Sequence, residues 1–110
     1  MNKEDMPKKT KTIKDLPNDQ RPREKLLKYG AENLTDTELL AILLRTGTIG
    51  HSALDIAGEV LKKFGSFKGL AGKSIDEVQK IKGIKGVKAV TISATFEIIS
   101  RVVNQVLSEK

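Results

Sequence analysis

Two glycines and three lysines fall within seven residues of this chain, Lys82-Gly83-Ile84-Lys85-Gly86-Val87-Lys88, and together they supply the parts of an anion-binding turn. Upstream, Ser74, Asp76 and Glu77 read as the start of a short helix; downstream, 89–106 reads as a longer one, so the glycines occupy a tight bend between helices. Gly83 takes positive φ without steric cost, and Gly86 lets its backbone come close to another molecule. A bend that feeds directly into a helix leaves unpaired N–H groups at the positive end of the helix dipole, where an anion is stabilised. The three ammonium groups add charge around it.

Other chemistries are poorly supplied. There is no cysteine and a single histidine, His51, which excludes disulfides, thiolate zinc sites and any centre built on paired imidazoles. His51, Ser52 and Asp55 have the residue types of a hydrolase triad, but residues at a helix start serve capping far more often than catalysis. Gly47 and Gly50 are too close for a nucleotide-binding loop, which also needs a Lys-Ser/Thr ending. No catalytic residue, metal or cofactor is expected.

With 110 residues, three Phe, one Tyr and no Trp, the chain builds one modest domain whose core is Leu, Ile, Val and Ala. No apolar run approaches the roughly 20 residues of a membrane span, and the charged N-terminus has no signal-peptide core, so a cytoplasmic protein is expected. The net charge of +6 is localised: eight lysines and two acids lie within 62–88, while the remaining basic and acidic residues balance. Such a concentration is what a footprint on a phosphate backbone requires.

The elements that must position the turn follow from capping signals and apolar spacing. Residues 1–12 are polar and charged and read as a disordered tail; a domain over 13–107 follows, beginning with Ile13, Leu16 and Pro17 laid on its surface. Pro22 to Tyr29 form a first helix with Gly30 closing it. Thr35 and Glu38 have capping-box spacing, with Leu34 and Leu39 placed as a staple, before a helix that is apolar on all sides to about Arg45. Ser52 with Asp55 opens a third helix carrying Leu54, Ile56 or Ala57, Val60, Leu61 and Phe64, ended by Gly65. Phe67, Leu70 and Ala71 form a connecting helical turn. Ser74 with Glu77 opens a two-turn helix with Ile75, Val78 and Ile81 inward. The last helix has Ala89, Ile92, Phe96, Ile99, Val103 and Val106 as its inward stripe. The class is all-α, a small bundle of five or six helices. A degenerate repeat sets Thr35–Glu38 against Ser74–Glu77, and Gly50, Ala53 and Ile56 against Gly86, Ala89 and Ile92. It predicts a pseudo-two-fold pair of helix-turn-helix units, with hairpins at 45–52 and 82–88.

Residues 81–89 resemble the helix-hairpin-helix motif, matching it at Gly83, Ile84 and Ala89, with Lys85 where the motif has its second glycine. A wider resemblance covers about 13–101. Ile13-Lys14-Asp15-Leu16-Pro17, Arg21-Pro22-Arg23-Glu24-Lys25-Leu26, Leu34 through Gly47, Phe64-Gly65-Ser66 and Ile81-Lys82-Gly83-Ile84 are similar to the N-terminal region of the RadC-like family. Members are labelled DNA repair proteins and carry a following JAB/MPN metal-dependent domain, whose His-x-His motif this chain lacks.

The resemblance implies a tandem helix-hairpin-helix domain that binds DNA without reading sequence. The second hairpin, Lys82, Gly83, Ile84, Lys85, Gly86, Val87 and Lys88, grips one phosphate backbone, and Arg45, Thr46, Thr48 and Ser52 of the first touch the other strand. The alternative is a protein-interaction module that docks on a JAB/MPN domain, with the glycines as turn residues and the lysines merely solvated. Enzyme action is not expected: in the base-excision glycosylases that share this hairpin, the Schiff-base lysine falls where Val87 stands and the catalytic carboxylate near Gln105.

Overall fold

The computed structural model describes residues 21–109, so the expected tail and the 13–17 segment lie outside the described residues. Six helices follow in order: α1 Pro22–Tyr29, α2 Asp36–Leu44, α3 Ala53–Phe64, α4 Phe67–Ala71, α5 Ile75–Gln79 and α6 Val87–Ser108. Among the described residues there is no named strand, only an isolated bridge between Thr48 and His51. The all-α expectation holds.

Capping chemistry sets the helix starts. In α2 the Thr35 hydroxyl accepts from the Glu38 amide and the Glu38 carboxylate accepts from the Thr35 amide. Ser52 with Asp55 does the same for α3, and Ser74 with Glu77 for α5. Each such cap is worth on the order of 1 kcal/mol. Glu38 also accepts from Lys25 at 3.1 Å, which fastens α1 to α2.

The core is almost entirely aliphatic. Leu40, Ala41 and Leu44 of α2 meet Ala53, Ile56, Ala57 and Val60 of α3, and Leu70, Val78, Ile81, Ile84, Ala89 and Ile92 complete the cluster. Burying one such Leu, Ile or Val side chain contributes about 1.5–3 kcal/mol. Phe67 and Phe96 close one side with ring centroids 6.5 Å apart.

Two expectations need correction. Ile75, assigned inward, is exposed. In α6 only Ala89 and Ile92 are buried and Phe96 is half-buried; Ile99, Val103 and Val106 are 46–56% exposed, because the distal half of the helix extends past the core that the other elements form.

Candidate nucleic-acid interface

The two hairpins differ in a way their matching caps did not reveal. In the first, the Thr48 amide donates to the His51 carbonyl at 2.8 Å and the reverse bond measures 3.0 Å, leaving Ile49 fully exposed at the tip. Gly47 is required here, since a Cβ would lie 2.0 Å from the His51 carbonyl oxygen. The helix that follows is capped: Ser52 is 6% exposed, its hydroxyl accepts from the Asp55 amide, and its own amide donates to the Asp55 carboxylate. Ser52 is therefore a structural cap, withdrawn from the surface contact assigned to it.

The second hairpin is open. α6 starts at Gly86 with no side-chain cap, and the amides of the exposed residues Lys85, Gly86 and Val87 find no acceptor among the described residues. Gly86 has φ 56° and ψ −120°, the geometry of the first central residue of a type II′ turn. Nothing stands within 4 Å of where its Cβ would be, so the bend faces open space. Gly83 faces the other way. At φ 93° it lies against α3, where a Cβ would sit 2.7 Å from Ile56 Cδ1. Ile84 is fully buried and its amide donates to the Ile81 carbonyl, which makes it the hairpin's anchor and no part of a contact surface.

Lys88 is committed inward. Its Nζ donates to the carbonyls of Leu44 and Thr46, each at 2.7 Å, and to Thr46 Oγ1 at 3.1 Å. The start of α6 is thereby tied to the end of α2, and the Thr46 side chain is occupied as well. Burial, and then the neighbouring Arg45 guanidinium, hold the Lys88 ammonium below the ordinary lysine pKa. The side chains of Lys80, Lys82 and Lys85 make no ion pair or hydrogen bond among the described residues, and these lysines line a groove with Thr48 and Lys88. A second groove holds Arg45, Thr46, Lys85, Val87 and Lys88.

The basic segment does not act as one patch. Lys63 and Lys73 lie over the Phe64 ring at 5.8 and 5.9 Å, away from the hairpin, so charge counted along the chain overstated the site. Among the described residues no group of His, Asp and Glu has the spacing to hold a metal ion, and no helix is long and apolar enough to cross a membrane.

Residues 13–90 match the family profile described as UPF0758 N-terminal. A UPF0758 protein of Trichlorobacter lovleyi is 50% identical over 92 residues, covering 81% of this chain and 40% of that protein. UPF0758 protein YsxA of Bacillus subtilis is 48% identical over 90 residues, 82% of this chain and 39% of the relative. One from Desulforudis audaxviator is 45% identical over 87 residues, 79% and 38% respectively. The chain thus spans about two-fifths of the length of these curated relatives. No solved structure matches it. The RadC-like motifs read from the sequence lie within this match, and the chain belongs to the UPF0758 family, of which it carries the N-terminal region.

Proposed function

We propose that this region is a DNA-binding module that holds the sugar-phosphate backbone without reading base sequence and carries no catalysis of its own. The observation that carries this reading is the uncapped start of α6: the amides of three exposed residues, Lys85 to Val87, without acceptors among the described residues. They lie at the start of a 22-residue helix, at the positive end of its dipole, in a groove region lined by the unpaired ammonium groups of Lys82 and Lys85. Among the described residues neither groove at this hairpin has a carboxylate in its lining to neutralise that charge. A bound phosphate neutralises it.

Fluorescence anisotropy with a labelled duplex tests it. Because each phosphate contact releases counterions, log K falls with log salt at about −0.9 per phosphate. Binding with a slope steeper than about −2, and loss of at least tenfold in affinity in Lys82→Glu/Lys85→Glu, are expected. A slope near zero, or a charge-reversed variant that binds as the parent does, sinks the reading.

A second reading, docking on a following metal-dependent domain of the JAB/MPN type, is favoured by one observation. Ile98, Ile99, Val102, Val103, Val106 and Leu107 of α6 leave a broad apolar face uncovered. The two readings use opposite ends of the same helix and are compatible.

A further inference from the structure

Arg45 has the only positive φ among the described non-glycine residues. At φ 68° and ψ −58°, with the Thr46 amide donating to the Leu44 carbonyl at 2.8 Å, it is the central residue of the strained form of γ-turn. Such strain persists only where surrounding contacts impose it, and it collects at ligand clamps. The imposing contact here is Lys88, whose ammonium bonds to the carbonyls on either side of Arg45, those of Leu44 and Thr46. The strained turn leaves the Arg45 side chain exposed at a junction. Arg45 lines the groove it shares with Lys85 and Lys88, and it also lines another that runs to Arg21 and Arg23 at the start of α1. Lys85 and Lys88 in turn line both hairpin grooves. Each of the three grooves therefore shares a cationic lining residue with the next.

We propose that a bound nucleic-acid strand follows one continuous track from Lys82 and Lys85 over Arg45 to Arg23, and that Lys88 is the positioning residue that holds Arg45 in it. The inference rests on the backbone-binding reading above and adds the path: the strand leaves the hairpin toward α1. Among the described residues Glu24 is the one acid in the lining of these grooves, and it stands at the α1 end with both arginines. Arg45 and Lys88 line one groove as two cations, the guanidinium helping to hold the Lys88 pKa down, and a phosphate there relieves that repulsion.

The experiment is the salt dependence of anisotropy with single-stranded and duplex oligonucleotides, for Arg23→Gln, Arg45→Gln and Lys82→Glu/Lys85→Glu. Both arginines are exposed, so these variants fold. Each arginine variant is expected to make the slope shallower by about 0.7 on single strands and about 0.9 on duplex. Adding Lys88→Met to Arg45→Gln is expected to change the slope no further, because the lysine acts through the arginine. Unchanged slopes in both arginine variants, with binding still lost in the hairpin variant, overturn the track and leave the DNA reading standing. If the hairpin variant is silent as well, both fall. A further full-unit loss on adding Lys88→Met makes Lys88 a phosphate ligand and overturns its positioning role; should that double variant not fold, loss of slope in Arg45→Gln and its absence in Arg23→Gln ends the track at the junction.

Discussion

At Arg45 the backbone adopts a conformation that glycine occupies at lower cost, and no residue-type signal in the sequence announces it. An L side chain at positive φ costs about 1–2 kcal/mol, while glycine adds about 0.5–1 kcal/mol of unfolded-state entropy, so Arg45→Gly is expected to gain up to about 1 kcal/mol. Melting temperature should rise by a few degrees while DNA affinity falls. A variant that melts lower than the parent, or that binds equally well, contradicts the idea that strain is kept here for contact. The glycines of the second hairpin, by contrast, were legible in the sequence, although their two tasks were not separable there. Gly83→Ala meets both an unfavourable φ of 93° and Ile56 Cδ1 at 2.7 Å, and should cost on the order of 2–4 kcal/mol. Gly86→Ala meets only the backbone term, about 1–3 kcal/mol, and places its methyl outward on the proposed phosphate-facing side. Urea midpoints for the two variants, read beside anisotropy, separate the roles: Gly83→Ala is the more damaging to stability, and Gly86→Ala loses more affinity than its stability loss explains.

Among the elements, helix starts were the most legible feature, because a Ser or Thr followed three residues later by an acid satisfies two amides through local geometry alone. All three boxes formed. The consequence that did not follow from sequence is the contrast between α3, whose start carries a capping box, and α6, whose start has no side-chain cap; the repeat had set the two hairpins against each other. Lys88 escaped for a related reason, since its three bonds span more than forty residues and leave no trace in local spacing. Glu38 gives an element-scale prediction, as it serves the α2 cap and the bridge to α1 together. Burial pushes its carboxyl pKa up, but hydrogen bonds from the Thr35 amide, Lys25 and the Thr35 hydroxyl outweigh that and hold it below the ordinary value. In the unfolded chain the carboxyl therefore binds its proton at a higher pH than in the folded one, and stability rises with pH across that interval. The contribution is complete above the ordinary carboxyl pKa and is lost as pH falls through the lowered one. Glu38→Gln should accordingly unfold at lower urea than the parent at pH 7, with the gap narrowing toward pH 3. A gap that is constant or widens in acid removes the assignment.

For the molecule as a whole, the apolar spacing of α6 shows what periodicity cannot report. Intervals of three and four over 89–106 correctly define one face of a helix, yet they do not say whose surface covers it. Here the body covers about the first three turns, through Ala89, Ile92 and the half-buried Phe96. Beyond them, positions 98, 99, 102, 103, 106 and 107 span about half the circumference at roughly 100° per residue. That is wider than the narrow seam of a paired coiled coil. The family profile ends at residue 90, within the first turn of this helix, and the curated relatives are more than twice as long as this chain's match to them. The distal half of α6 thus lies outside both the span of the family profile and the packed body. If the body is complete without it, substitutions there should leave the fold's stability alone: Val102→Lys/Val106→Lys is expected to shift unfolding free energy by no more than about 0.5 kcal/mol, lysine being at least as good a helix former as valine. Ile92→Ala, which empties a buried site one turn from the hairpin, should cost about 2–5 kcal/mol. Urea titrations of the two variants at equal protein concentration make the comparison. A double-lysine variant as destabilised as Ile92→Ala shows that the distal half belongs to the core, and that the body defined by α2, α3 and α5 does not stand without it.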